Sequence, residues 1–317
     1  MNTAPLISVV IPTYNAPHYL LETLGTVLAQ TFTDFEVVII NDGSTDDTLA
    51  ALEPVAASDE RIRIITQQNA GIGAARNRGI NEARGKYVAL LDHDDLWKPG
   101  KLAAQAAFMD AHPQCAACSV PWAWSTWPNE PTFRKSEICD ETGIVQRPLH
   151  WLAHGRIFLI SASIMFDRER ARGLRYETRP RCIEDTPFQI GLFERGKFGI
   201  AGDEILMTYR VHAANYSKQA AFYYNGQRML REFARGGKFD ALSPQDRRDL
   251  NEFLAHLGRT TAAKQLMGGY RLKGLEMYLS ELPHQLAQLR WKFLLTYPFL
   301  LVSPMKVVRR FLPGESV

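Results

Sequence analysis

Three carboxylates, Asp92, Asp94 and Asp95, stand within four positions, directly after the apolar run 87–91. Carboxylates this close repel one another unless something positive joins them. A divalent ion of the Mg²⁺ or Mn²⁺ kind is the economical partner, with phosphate oxygens completing its shell. The plain alternative is a solvated acidic turn, with Asp95 as the N-cap of a following helix. A second pair, Glu184-Asp185, opens a helical segment about ninety residues later. Such carboxylates often only cap a helix, yet one here could serve as a general base on an acceptor hydroxyl. Tyr209-Arg210-Val211-His212 closes an apolar segment. His212 offers a metal ligand or a structural ring, and Arg210 could neutralise phosphate. Asn41-Asp42-Gly43-Ser44 is either an ordinary tight turn or a place where Asp42 accepts a hydrogen bond from a nucleobase or ribose.

Other patterns carry less. Gly71-Ile72-Gly73-Ala74-Ala75-Arg76 invites a dinucleotide fingerprint. Its third glycine position is Arg76, and it follows a third strand rather than a first, so the fingerprint is rejected. Arg76 or Asn77 then faces a ligand, or Arg76 binds a neighbouring carboxylate. Cys115-x-x-Cys118 has no second Cys or His pair at zinc-finger spacing, and small buried residues are the better reading.

The elements that must position these groups alternate. Apolar runs at Ile7–Ile11, Phe35–Ile40, Arg61–Thr66 and Tyr87–Leu91 predict strands. Helical spacing predicts helices over Pro17–Gln30, Asp46–Ala57 (capped by Ser44 or Thr45) and Gly73–Ala83. This β-α series implies a mainly parallel sheet covered on both faces. Ligands of such sheets sit beyond the carboxyl ends of the strands. The turns Thr13-Tyr14-Asn15, Asn41-Asp42-Gly43 and Asp92–Asp95 should therefore converge. Further on, Cys115–Val120, Ile157–Phe166 and Ile205–Val211 read as strands and Glu184–Arg195 as a helix. Trp122–Asp140 reads as a loop or irregular hairpin, and residues from about Ala220 onward read as helical.

The 317 residues are 46% hydrophobic and 22% charged, enough for a sizeable core. Lys plus Arg is 37 against 34 for Asp plus Glu, a net +3. That near-balance argues against a dedicated nucleic-acid binder. Four cysteines are too few for a disulfide scaffold. The N-terminus predicts no secretory signal, and no uninterrupted apolar stretch of about 20 residues predicts a spanning helix. The expected compartment is a reducing cytoplasm with free thiols.

Taken together, the ordered series resembles the family 2 glycosyltransferases, which have the GT-A fold. Val9-Val10-Ile11-Pro12-Thr13-Tyr14-Asn15 is similar to the family's opening strand and loop, and Leu24 to Phe32 to its first helix. Asn41-Asp42-Gly43-Ser44-Thr45-Asp46, the segment Asn69 to Gly79, and Leu91-Asp92-His93-Asp94-Asp95 follow, the last looking like the DxD element. Glu184-Asp185 and Tyr209-Arg210-Val211-His212 look like the later acidic pair and the closing element. The resemblance covers about residues 5–217. It implies a mainly parallel mixed sheet flanked by helices, in a catalytic domain over 1–219, with a helical extension over 220–317.

The resemblance further implies transfer of a sugar, with inversion, from a nucleotide-diphosphate donor to an acceptor hydroxyl. Asp94 would hold Mn²⁺ or Mg²⁺ against the diphosphate, and His212 would join the metal or the donor phosphate. Asp92 would touch ribose or the metal's outer shell. Pro12, Thr13, Tyr14, Asn15, Asp42, Arg76, Asn77 and His93 would line the nucleotide-sugar site, with Asp42 as base contact. Asp185 would take the acceptor's proton, with Glu184 the runner-up. UDP is the expected nucleotide, with dTDP and GDP open; the acceptor is a glycan or lipid-linked, in cell-surface glycan synthesis. His93 departs from the small residues common at its place in the family, and Trp122–Trp127 matches no motif. It either stacks on a sugar ring or is ordinary core and rim.

Arg290 to Leu312 is apolar, flanked by Arg290, Lys292, Lys306, Arg309 and Arg310, and broken by Pro298 and Pro304. It reads as a peripheral contact with the inner face of a membrane, or as a helical hairpin packed on the protein or joining a homo-oligomer. Two rival functions are a nucleotidyltransferase and a non-catalytic nucleotide-sugar or glycan binding module. The first needs a basic glycine-rich loop after the first strand, and Thr13 to Pro17 has neither Gly nor Lys.

Overall fold

The computed structural model describes residues 4–179, 183–212, 215, 220–306 and 308. The chain folds as two compact units. The first takes Met1–Pro148, Arg156–Pro180 and Glu184–Ala213; the second takes Leu149–Gly155, Arg181–Ile183 and Ala214–Val317.

In the first unit, β1 (Ile7–Thr13), α1 (Pro17–Leu28), β2 (Phe35–Asn41), α2 (Thr48–Ser58), β3 (Ile62–Thr66), α3 (Ile72–Glu82) and β4 (Tyr87–Leu90) alternate. There follow β5 (Leu96–Trp97), α4 (Lys101–Ala111), β6 (Cys115–Ser119), β7 (Trp122–Trp124), α5 (Lys135–Ile138) and β8 (Ile144–Val145). β9 (Met165–Asp167), α7 (Thr186–Arg195), β10 (Lys197–Ile200) and β11 (Met207–Tyr209) complete the first unit, while α6 (Pro148–Ala153), between β8 and β9 in the chain, belongs from Leu149 to the second. The main sheet has the order β3-β2-β1-β4-β9-β6-β10-β8. It is parallel from β3 to β4, and β9 lies antiparallel to both β4 and β6. β1 and β2 are buried throughout, as a strand covered on both faces requires. A smaller sheet has the order β5-β11-β7.

Close packing explains two of the glycines. Gly79 on α3 lies over β1, where an added Cβ would sit 2.2 Å from Val10 Cγ1. Gly43 turns the chain after β2 at φ +72°, against the backbone of Asn69, a conformation that favours glycine.

The expected elements differ in four places. α2 begins at Thr48, not Asp46, because Ser44 and Thr45 are bonded to Asn15 instead of capping the helix. Of the predicted strand 157–166 only Met165 and Phe166 fall in β9 (Met165–Asp167); Ser161–Ser163 is a short 3₁₀ turn whose residues are all buried. Part of the predicted loop 122–140 is ordered: Trp122 is a buried strand residue whose indole N–H donates to Phe158 O (3.1 Å), whereas Trp127 is exposed. Asp95 is not an N-cap, since β5 follows it and α4 starts only at Lys101.

Cys115 and Cys118 are free and buried on β6, and burial pushes their thiols up to about 11 and about 12. Three residues apart on a strand, they point to opposite faces and cannot chelate together. Cys139 is also free, and Cys182 lies outside the described residues.

The second unit contains α8 (Ala220–Arg235), α9 (Pro244–Met267), α10 (Arg271–Ala287) and α11 (Trp291–Val302). Tyr278 and Tyr297 stack at 5.0 Å inside its core, and Tyr297 donates to Ala262 O (2.7 Å). Among the described residues no helix is long and apolar enough to cross a membrane.

Candidate active site

The sheet order puts β1 between β2 and β4, so the loops after these three strands open side by side where strand order reverses. Asp42 N donates to Thr13 O (2.9 Å) and Leu91 N to Val10 O (3.0 Å), which ties the three ends together. Pro12 lies in β1 beyond Val10, the last residue paired with β4, where its missing N–H costs no bond to that strand.

The first two loops are fastened to each other. Asn15, at φ 50°, accepts from Thr45 N (2.8 Å) and donates its own N–H to Ser44 Oγ (3.1 Å). Asp42 is buried and accepts from Gln67 Nε2 (2.7 Å), Ala70 N (3.0 Å) and Gly71 N (2.8 Å). Its carboxylate thus clasps the loop before α3. Thr13 Oγ1 is buried and makes no hydrogen bond among the described residues, while Tyr14 is exposed beside it. A buried hydroxyl without a partner suits a site completed by a ligand.

Around the DxD segment the three aspartates meet different groups of the chain. Each aspartate has its own partner. Arg76, buried on α3, bridges two carboxylates: Nη2 donates to Asp92 (2.6 Å) and Nη1 to Glu184 (2.8 Å). Burial alone would lower the guanidinium's pKa; the charges of Asp92 and Glu184 outweigh it and raise it above its ordinary value. Asp94 meets His212 Nε2 at 2.8 Å, and the His212 ring stacks on Tyr19 at 4.8 Å. Asp95 is buried and accepts from Arg210 N (3.0 Å). Burial, then the charges of Asp94 and Asp92, push its carboxyl well above the usual range. The Arg210 guanidinium pairs with Glu22 (2.6 Å) and lies over the Tyr19 ring. His93 is half-buried, and its carbonyl accepts from Thr23.

Asn77 is bonded to the backbone of Tyr176. Its amide donates to Tyr176 O (2.9 Å) and accepts from Tyr176 N (2.8 Å). That segment passes so close to α3 that a Cβ on Gly73 would meet Glu177 O at 1.9 Å. The Tyr176 ring lies under the Arg76 guanidinium at 5.2 Å and stacks on Phe188 of α7 at 4.3 Å. It thereby sets the position of the Glu184-Asp185 turn against Arg76.

Asp185 is the residue immediately before α7. Gln189 Nε2 and Thr186 Oγ1 approach its oxygens at 3.3 and 3.4 Å. Burial first, and then the neighbouring Glu184 charge, push its carboxyl up to about 7; Arg76 opposes them. Tyr19, Gln67, Tyr176 and Gln189 were not visible as site residues in the sequence. The register Asn41 opposite Thr66 carries Gln67 to Asp42, and only knowledge of that pairing would have pointed to it.

A twisted, mainly parallel sheet with acidic loops at its switch point, flanked by helices and carrying an antiparallel strand, is the GT-A architecture of nucleotide-sugar transferases. The chain belongs to glycosyl transferase family 2, whose model matches residues 8–172. A putative teichuronic acid biosynthesis glycosyltransferase, TuaG of Bacillus subtilis (strain 168), is 43% identical over 109 residues, covering 34% of this chain and 43% of that protein. The chain spans under half the length of the curated relatives it matches first. Among solved structures, S. aureus TarS 1–349 in complex with UDP-GlcNAc superposes with a TM-score of 0.59 at 18% identity, covering 89% of this chain and 91% of TarS. The mannosyltransferase PcManGT from Pyrobaculum calidifontis, in complex with GDP-Man and Mn²⁺, gives 0.60 at 18%, covering 99% and 89%. These two likenesses concern the fold.

Proposed function

We propose that the chain is an inverting, metal-dependent glycosyltransferase that moves a sugar from a UDP-linked donor to a hydroxyl of a cell-surface glycan or glycolipid acceptor. One observation carries the reading. Arg76 clamps Asp92 and Glu184 while leaving Asp185, with its carboxyl near 7, beside them. A base with a pKa near the working pH is matched to taking a proton from an alcohol as it attacks. Glu184 is a poorer base, because one of its oxygens is committed to Arg76. TuaG's name, which refers to teichuronic acid biosynthesis, supports the cell-surface acceptor. The UDP-GlcNAc held by TarS supports UDP.

The residues present fit a divalent cation. A carboxylate oxygen of Asp94 and the imidazole of His212 face each other at 2.8 Å, both side chains still partly exposed. That donor pair suits Mn²⁺ somewhat better than Mg²⁺, which prefers oxygen alone. Bound there, the ion would offset the charge of the leaving nucleotide diphosphate. Thr13 Oγ1 is the buried hydroxyl poised to meet the nucleoside, with Tyr14 at the rim. Pro12, Asn15, Asp42 and Asn77 shape that site by holding its loops, and His93 narrows it toward the sugar.

A panel of UDP-, GDP- and dTDP-sugars tests this, with Mn²⁺, Mg²⁺ or EDTA, following released nucleotide. The expected result is release from a UDP-sugar that EDTA abolishes and Mn²⁺ restores. Full release in EDTA would remove the metal from the reading, and no calorimetric binding of any nucleotide would remove the donor.

The catalytic domain proposed over 1–219 is followed by a helical region, 220–317, that meets a membrane peripherally from the cytoplasmic side. One face of α10 exposes Leu272, Leu275, Leu279 and Leu286, and one face of α11 exposes Trp291, Leu295, Phe299 and Val302. Their spacings of three, four and seven residues make two apolar stripes, with Lys273, Arg290 and Lys292 nearby in the chain. Lys306 is described as well; Arg309, Arg310 and Leu312 lie outside the described residues. A homo-oligomer is the competing occupant of these stripes. Truncation before Arg290 would remove Tyr297 from the core, so substitution is the cleaner test. Leu295→Ser with Phe299→Ser should abolish flotation with anionic vesicles and leave the thermal midpoint within about 2 °C, since both side chains are solvent-exposed. Unchanged flotation would sink the membrane role of α11.

A further inference from the structure

Outside the catalytic loops, two imidazoles and a carboxylate meet in the second unit. His150 lies on α6 and His154 one turn later, and Glu252 projects from α9. One donor atom from each lies within 4.8 Å of the others. The two rings are neighbours, 4.2 Å between centroids, as an i, i+4 pair on one helical turn must be. We propose that His150, His154 and Glu252 form a binding site for a transition-metal dication of the zinc class, clipping the 150–154 turn to α9.

The geometry of His154 carries this furthest. Its Nδ1 lies 2.8 Å from His150 O. A carbonyl only accepts, so Nδ1 bears the hydrogen. In the neutral ring Nε2 is then a lone pair. Nε2 faces Glu252 Oε1 at 3.4 Å. Two acceptors face each other there unless a proton or a metal lies between them. Zinc ligands lie at about 2.1 Å in a tetrahedron, which sets donor atoms about 3.4 Å apart. The backbone bond at Nδ1 is the outer-shell contact that orients a metal-binding imidazole. Three protein ligands leave a fourth position for water. Arg290 Nη2 lies 3.3 Å from the same Glu252 oxygen and competes with the ion. Its presence predicts modest affinity that rises when it is removed.

Untagged, full-length protein with Asp94→Asn, which removes the DxD carboxylate, is stripped with EDTA, desalted and titrated with Co²⁺. The expected result is a visible d–d band of four-coordinate cobalt that saturates at one equivalent and is displaced by Zn²⁺. His150→Gln and His154→Gln should each lose it. Arg290→Gln should tighten it severalfold. The band should fade as the pH drops below about 6.5, where imidazoles protonate. Zn²⁺ should raise the thermal midpoint of the parent but not of His154→Gln, whose exposed side chain can be replaced without loss of core. No band in the parent, or equal bands in both histidine variants, would overturn the site.

Discussion

Asp185→Asn is expected to lower turnover roughly 10²–10⁴-fold, the usual contribution of a general base, while leaving the affinity for free UDP unchanged. The amide keeps the shape of the residue before α7 and cannot take the acceptor's proton. In the unaltered chain the carboxyl titrates near 7, so kcat/KM should fall about tenfold per pH unit below that value. The same shift predicts an opposite effect on stability. The folded pKa is raised above the ordinary 3.8, so the contribution is full below that value and is lost as the pH rises through about 7. Above pH 7 the native state holds a poorly solvated charge, which the amide removes. The variant should therefore be more stable than the parent at pH 8, by a few kcal/mol at most, and the difference should shrink toward pH 5. Thermal melts across that range, beside the pH–rate profile, check both signs. A variant with parental turnover would refute Asp185 as the base and return the role to Glu184.

Arg76→Met should be the most damaging single change to the first unit. Arg76 is 3% exposed and serves two acidic groups at once, Asp92 at 2.6 Å and Glu184 at 2.8 Å. Breaking a buried ion pair leaves uncompensated charge and costs about 3–5 kcal/mol. Domains have only about 5–15 kcal/mol in hand. Arg76→Lys should recover little, because an ammonium is a point charge and cannot fork to two carboxylates as a guanidinium does. The loss should be electrostatic rather than steric. Adding Asp92→Asn and Glu184→Gln to Arg76→Met should then restore much of the lost stability without restoring turnover. Urea unfolding of the set measures this, and an Arg76→Met midpoint equal to the parent's would refute the clamp.

Much of this was legible beforehand because it rests on local patterns. Runs such as Val37–Ile40 are too apolar for any place but a covered strand, and Pro17 with leucines at helical spacing leaves little choice for α1. Where elements depart from the local pattern, long-range bonds override local preference. Ser44 and Thr45 are good caps by type, yet Asn15 claims both. Ile157–Ile160 is apolar enough for a strand, but pairing in the main sheet is taken up only from Met165.

The alternation of strands and helices, the order of the loops and the family to which they belong are all written in the residue order. Apolar periodicity and turn chemistry act over a few residues, and an ordered set of motifs survives in the chain whatever the packing. What each carboxylate does is a matter of three-dimensional packing instead. Asp92, Asp94 and Asp95 are alike in type and adjacent in sequence, yet their partners lie 16, 118 and 115 residues away, at Arg76, His212 and the Arg210 amide. Charge, burial and proton affinity depend on which groups arrive within a few ångströms, and that is set by strand order and helix seating rather than by neighbours along the chain.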